Sequence, residues 1–178
     1  MGSKLRISQF SPGFHRKKFD CGIPELNDFL SKRARKHMTQ GMSVTYLLHE
    51  ADNIEILGYY TISMAEIKTA DLQQELIKGL PHHPVPVVRI GRLAVSTSHQ
   101  EKGYGGILLW DAILRSVLLS DEIGARAIEV HAKNDGARAF YQRHGFISVA
   151  DDQNHLYLSM ENARKAMELS EAASKQPE

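Results

Sequence analysis

The spacing of apolar positions changes several times along this chain, and each change marks an element. Leu5 and Ile7 alternate with polar neighbours, which predicts a short strand closed by Ser11-Pro12-Gly13. From Pro24 the period lengthens, and a helix over 24–40 places Leu26, Phe29, Leu30 and Ala34 on its inner face. Lys32, Arg35 and Lys36 fall on its outer face at spacings that make them neighbours, and Gly41 ends it. Residues 44–49 and 54–67 read as a hairpin around Asp52-Asn53, with Gly58 as a bulge position. Residues 70–78 read as a short helix stopped by Gly79.

The stretch Pro81-His82-His83-Pro84-Val85-Pro86 lacks the donors that a helix or central strand needs, so a connector is expected. It feeds a strand over 87–95. The strongest helical pattern follows over 103–121, with Trp110, Ile113, Leu114 and Val117 as its apolar stripe. A buried strand over 127–132 comes next, then a helix over 135–144 closed by Gly145, and a strand pair of 146–149 with 156–160. This mixture predicts an α/β (α+β) fold, a sheet with helices on both faces. One domain over 1–160 and a polar tail over 161–178, helical or disordered, are expected.

Composition narrows the class. A chain of 178 residues suits one domain, and 42% apolar with 24% charged residues excludes a disordered chain or a coiled coil. Cys21 is the lone cysteine, so neither an intrachain disulfide nor a multi-cysteine metal site is expected. No apolar run reaches membrane-spanning length and no apolar signal core follows Lys4, so a soluble, cytoplasmic protein is expected. The net charge of +1 conceals an asymmetry. Residues 1–50 hold nine Lys/Arg against four Asp/Glu, the kind of basic bias that attracts polyanions.

Candidate chemistry concentrates in Leu93-Ala94-Val95, Ser96-Thr97-Ser98-His99 and Gln100-Glu101-Lys102-Gly103-Tyr104-Gly105-Gly106, followed by the long helix. A strand, a turn and a glycine-rich helix start form an anion site, because the first-turn amides lack acceptors and the helix dipole favours negative charge there. The triphosphatase loop and the three-glycine dinucleotide fingerprint both fail to match.

Gln100-Glu101-Lys102-Gly103-Tyr104-Gly105 matches the acetyl-coenzyme A (acetyl-CoA) pattern Gln/Arg-x-x-Gly-x-Gly/Ala of the GNAT N-acetyltransferases. Asn134 to Phe146, with its Phe140-Tyr141 pair and Gly145-Phe146, resembles the second hallmark of that family. A narrower resemblance covers most of the chain. Phe19-Asp20-Cys21-Gly22, Leu26-Asn27-Asp28-Phe29-Leu30, Gly58-Tyr59-Tyr60-Thr61 and Gly91-Arg92-Leu93-Ala94-Val95 look like GNAT toxins of type II toxin–antitoxin pairs.

The resemblance implies a GNAT fold, a mixed central sheet with a splayed central strand pair at the acetyl-CoA site. It implies acetylation of the α-amino group of aminoacyl-tRNA, with translation inhibited, and a ribbon-helix-helix antitoxin as partner. Homodimers are common in the family. The amides of Lys102, Gly103, Tyr104, Gly105 and Gly106 would grip the diphosphate, with Gln100 in the motif. Leu93, Ala94 and Val95 would pair with the pantetheine amides. Tyr141 would be the general acid for the departing thiolate. Asn134 lies seven residues before Tyr141, on the same helix face, and would hold the pantetheine arm or cap the helix. Lys32, Arg33, Arg35 and Lys36 form a proposed RNA-backbone track, with Arg89 and Arg92 binding RNA or pairing with acids of the sheet.

Two other readings stay open on the residues alone: a GNAT enzyme of small amines or protein N-termini, and a non-catalytic acyl-CoA-binding regulatory module. Glu66 reads as a water-mediated base or a solvated carboxylate. His82 and His83 lack a spaced third ligand, so no metal is expected.

Overall fold

The computed structural model describes residues 4–80 and 83–174. Seven strands are ordered β1-β2-β3-β4-β5-β7-β6, each hydrogen-bonded to its neighbours in that order. They are β1 (Leu5–Gln9), β2 (Val44–Glu50), β3 (Gly58–Ile67), β4 (Val85–Val95), β5 (Ala127–His131), β6 (Ile147–Ser148) and β7 (His155–Ser159). The mixed α/β class expected from the pattern is thus met. Two compact units divide the chain, Met1–Ser63 with Ile90–Ala112 and Met64–Arg89 with Ile113–Glu178.

In the first unit, β1 and β2 pair antiparallel with Ile7 opposite Leu48, and β2 continues onto β3 with Tyr46 opposite Tyr60. Its core gathers Phe10, Phe19, Leu26, Phe29, Leu30, Leu47 and Tyr59. The first helix forms where the spacing placed it, but not as one regular helix. It runs as α1 (Pro24–Asp28), a wide π-type turn over Phe29–Arg33, and α2 (Ala34–Thr39). The Ala34 amide donates to the Phe29 carbonyl, five residues back. That extra residue leaves Phe29 and Ala34 both fully buried and carries Arg33 out to solvent.

Gly58 pairs in register with Leu48 rather than forming a bulge. Its glycine has a packing reason: a Cβ there would lie 2.7 Å from Leu108 Cδ1 and 2.8 Å from the Ala94 carbonyl oxygen. The hairpin's second strand begins at Gly58, not at 54, because the Ile54 carbonyl is taken by the His15 amide.

In the second unit, β5 pairs antiparallel with β7, and β7 with β6. Ile67, Leu72, Val85, Val87, Ala127, Val149 and Tyr157 form its core. The helix expected over 70–78 shrinks to a 3-10 turn (Thr69–Asp71) and the single turn α3 (Gln74–Ile77). The connector expected over 81–86 is shorter than the prolines suggested, since β4 begins at Val85 and includes Pro86. Pro86 has no donor to offer, but its carbonyl accepts from the Arg126 amide. Pro81 and His82 lie outside the described residues; His83 is exposed.

The long helix α4 (Tyr104–Ile123) forms as expected, with one difference in its faces. Leu108, Leu109, Ala112, Ile113 and Val117 are buried, whereas Trp110 is 38% exposed. The helix is apolar nearly all round, so spacing alone did not tell which stripe faces inward. Two helices complete the chain, α5 (Asp135–Arg143) and α6 (Met160–Ser174), the latter anchored by buried Met160 and Ala163.

Candidate active site

At the end of β4 in the first unit, Leu93 and Val95 are half-buried and Ala94 is buried. The Ser96 amide donates to the Leu57 carbonyl, which turns the chain away from the strand. A 3-10 turn, Thr97–His99, leads to Gln100, whose side-chain amide donates to the carbonyls of Cys21 (3.2 Å) and Val95 (3.1 Å). Gln100 therefore ties the loop to the strand. His99 accepts from or donates to Ser96 and Ser98 through Nδ1, and its ring stacks on Tyr104.

Glu101 and Gly103 both take positive φ, 64° and 80°. For Glu101 that conformation carries strain; for Gly103 it does not. Lys102 and Gly103 are exposed, Tyr104, Gly105 and Gly106 half-buried, and α4 has no acidic residue in its first turn. Gly105 and Gly106 present no side chain beside the first-turn amides. The end of this 20-residue helix thus fits a diphosphate by charge and by close backbone approach.

The cations proposed for RNA fall into different settings. Lys32, Arg33, Arg35 and Lys36 all reach solvent, and Lys32 pairs with Asp28 at 2.8 Å. The Arg92 guanidinium lies 3.7 Å from the centre of the Phe29 ring, a cation–π contact. Burial pulls its pKa down; Tyr59 opposes that shift and Arg33 adds to it. Cys21 is buried in the same core, where it packs as a small apolar residue.

In the second unit, Asn134 caps α5: its Oδ1 accepts from the Ala137 amide at 2.8 Å. Tyr141 sits two turns later, 7% exposed, with its ring against Phe140 and Phe146. Burial raises its pKa to about 12, so the phenol keeps its proton throughout the physiological range. Glu66 is exposed in β3.

Of the two roles expected of Arg89, the structure shows pairing with an acid of the sheet, in a charged cluster of the same unit whose acid and histidines the sequence did not single out. Glu129, fully buried in β5, accepts from Arg89 Nε through Oε1 and from His155 Nε2, at 2.7 Å, through Oε2. His155 stacks on His131, directly opposite it in the β5–β7 register, with ring centres 4.2 Å apart. Desolvation first, then His155, lowers the His131 pKa, while Glu129 and Asp152 pull it back up and Arg89 adds to the lowering. Glu129, His131 and His155 place ligand-type atoms within 4.8 Å of one another. Arg89 and His155 already engage both carboxylate oxygens, and the guanidinium charge opposes a cation. The available signal was an acid inside the apolar run Ala127-Ile128-Glu129-Val130.

The first unit thus carries a glycine-rich helix start after a strand, and the second a capped helix with a buried, protonated tyrosine. The family profile described as "Acetyltransferase (GNAT) family" matches residues 18–146, and the chain belongs to that family. A "tRNA-acetylating toxin" of Mycobacterium tuberculosis (strain ATCC 25618 / H37Rv) is 40% identical over 146 residues, 82% of this chain and 86% of that protein. The structure of AtaT complexed with acetyl-methionyl-tRNAfMet is similar at a TM-score of 0.83 and 30% identity, covering 93% of this chain and 98% of that one. A tyrosine-to-phenylalanine mutant of the AtaT toxin, bound to the C-terminus of the antitoxin AtaR and acetyl-CoA, gives a TM-score of 0.80 at 26% identity, covering 92% and 98%.

Proposed function

We propose that this chain is the toxin of a toxin–antitoxin pair and transfers acetyl from acetyl-CoA to the α-amino group of aminoacyl-tRNA. The observation that carries the reading is the 40% identity to a tRNA-acetylating toxin across four-fifths of the chain. The exposed basic face of Lys32, Arg33, Arg35 and Lys36 supports it, since a polyamine acceptor would call for acids there. Acetylation of a charged tRNA would stop that tRNA from entering elongation normally, and the activity belongs where translation occurs, in the cytoplasm. No helix among the described residues is long and apolar enough to cross a membrane. An antitoxin is the expected partner, as it is for AtaT.

Acetyl-CoA supplies an acetyl thioester. The chain's residues then have three tasks. The amides of Lys102–Gly106 hold the diphosphate, and the Leu93–Val95 backbone orients the pantetheine arm, with Asn134 assisting through the amide nitrogen its cap leaves over. A neutral α-amine attacks the acyl carbon; the C–N bond forms as the C–S bond breaks, and the proton leaving nitrogen balances the one sulfur gains. An aliphatic α-amine has a pKa near 7.7–8.0, and the adjacent ester lowers it, so no strong protein base is needed. Tyr141 donates to the departing sulfur. A phenol at about 12 is a weak acid against a thiol near 8.5, so its transfer is coupled to the proton that nitrogen gives up.

The test is transfer of labelled acetyl from acetyl-CoA to charged and deacylated tRNA in parallel. Label on charged tRNA alone is expected. Label on polyamines or peptides instead would overturn the acceptor while leaving the family intact.

A further inference from the structure

We propose that Glu129 is a positioning residue, which with His155 holds the Arg89 guanidinium as a clamp for a phosphate at the acceptor end of the tRNA substrate. The inference rests on the acceptor reading above. It starts from an oddity of β5: Ala127, Ile128 and Val130 are fully buried apolar residues, yet Glu129 between them is fully buried as well. Burying a carboxylate is costly, and an ion pair in such a place rarely stabilises a fold more than an apolar residue of similar volume. Something other than packing accounts for it.

The cluster is built outward from that carboxylate. Oε2 takes the Nε2 proton of His155, whose side chain is 15% exposed and braced by the stacked ring of His131. Oε1 takes Arg89 Nε. The Arg89 side chain is 41% exposed whereas Glu129 is 0% exposed, so the guanidinium bridges the interior and the surface. Its Nε makes the anchoring bond, and the donors on Nη1 and Nη2 have no partner among the described residues. A guanidinium anchored on one edge presents its remaining N–H groups as a planar fork, which suits the oxygens of a phosphate. Held by a fixed carboxylate, it loses little side-chain freedom on binding. The exposed lysines and arginines of the first helix have no such support.

The experiment is steady-state kinetics with charged tRNA and, separately, with the methyl ester of the same amino acid, which has the α-amine but no phosphate. For Arg89→Gln, the ratio of kcat/KM for charged tRNA to that for the ester should fall about tenfold, mostly through KM for the tRNA. The dependence of log KM on log salt should become shallower by roughly 0.7 to 0.9, the loss of one phosphate contact. Glu129→Gln should give a similar fall in the ratio, and in the Arg89→Gln background it should add less than about twofold. Equal cost of Glu129→Gln in both backgrounds, or equal loss on tRNA and ester, would overturn the positioning role. Should Glu129→Gln fail to fold, Arg89→Lys serves: it keeps the charge, loses the Nε donor, and should still raise KM for tRNA. An unchanged KM there would overturn the proposal. Wild-type transfer to charged tRNA that ignores these variants removes this inference alone; no wild-type transfer to charged tRNA removes the acceptor reading and this inference with it.

Discussion

The two cationic regions of this chain are held in opposite ways. On the first helix, Lys32 is 69% exposed and meets Asp28, itself 51% exposed, one turn back. Arg33, Arg35 and Lys36 reach solvent beside it. Arg89 instead leans on a carboxylate with no solvent exposure. Charges of the first kind attract any polyanion, lose strength in salt and contribute little individually. A charge of the second kind contributes direction. One region should therefore set how strongly RNA is gathered, and the other where a particular phosphate sits.

Neither region should matter as much as Tyr141, and that ordering can be broken. Tyr141→Phe should lower kcat by about 100-fold or more while leaving the dissociation constant for acetyl-CoA within about twofold, as read by calorimetry. Turnover that survives would remove the tyrosine from the chemistry. With the tyrosine intact, the rate should rise with pH as the α-amine loses its proton below about pH 8 and then level off. Burial holds Tyr141 at about 12, so no descending limb should appear by about pH 9.

Next in size is the helix. Changing Lys32, Arg33, Arg35 and Lys36 together to Gln should flatten the salt dependence of tRNA affinity by a slope of about 3, at roughly 0.7 to 0.9 per contact. An unchanged slope would place the RNA elsewhere. Neutralising Arg89 alone should change that slope by less than about 1 while costing more per residue at physiological salt.

A packing control follows. Gly58→Ala should destabilise the fold by about 1–3 kcal/mol, because its Cβ meets the Ala94 carbonyl and Leu108 at under 3.0 Å. Thermal unfolding that matches the wild type would show that β3 shifts freely. The smallest effect belongs to Asp20, whose carboxyl is held below its usual range by the Gly22 amide and then by Asn27. A depressed carboxyl stabilises the fold above pH 3.8 and loses that contribution as pH falls through its lower folded value. Asp20→Asn should therefore lower the melting temperature slightly at neutral pH and flatten its fall in acid.

The same contrast separates what was legible in the residues alone from what was not. The helix from Pro24 and its basic outer face were legible, because both depend on spacings of three and four residues. So was the glycine-rich start of α4, because missing side chains show directly in the sequence. The Asn134 cap and the helix that carries Tyr141 were legible locally, whereas the role expected of Tyr141 came from the family resemblance.

What escaped was set by distant partners or by small departures from regularity. Pairing of Arg89 with a sheet acid was open, but not which acid: Glu129 lies 40 residues away and His155 reaches it across 26, separations that no local period encodes. The wide turn at Phe29–Arg33 adds one residue to a helical period and reverses the fate of Arg33, which a regular helix would set at the border of the core. Pro86 entered a strand because only its carbonyl was needed. Trp110 faced outward because α4 is apolar on more than one side.

The central claim is chemical: the acetyl group ends on the α-nitrogen of an amino acid esterified to tRNA. The most direct measurement incubates charged tRNA with acetyl-CoA and the wild-type chain or Tyr141→Phe, releases the amino acid by mild base, and weighs it by mass spectrometry. N-acetylated amino acid is expected from the wild type and next to none from the variant. Unmodified amino acid with both proteins, or acetyl recovered on the RNA itself, would contradict it.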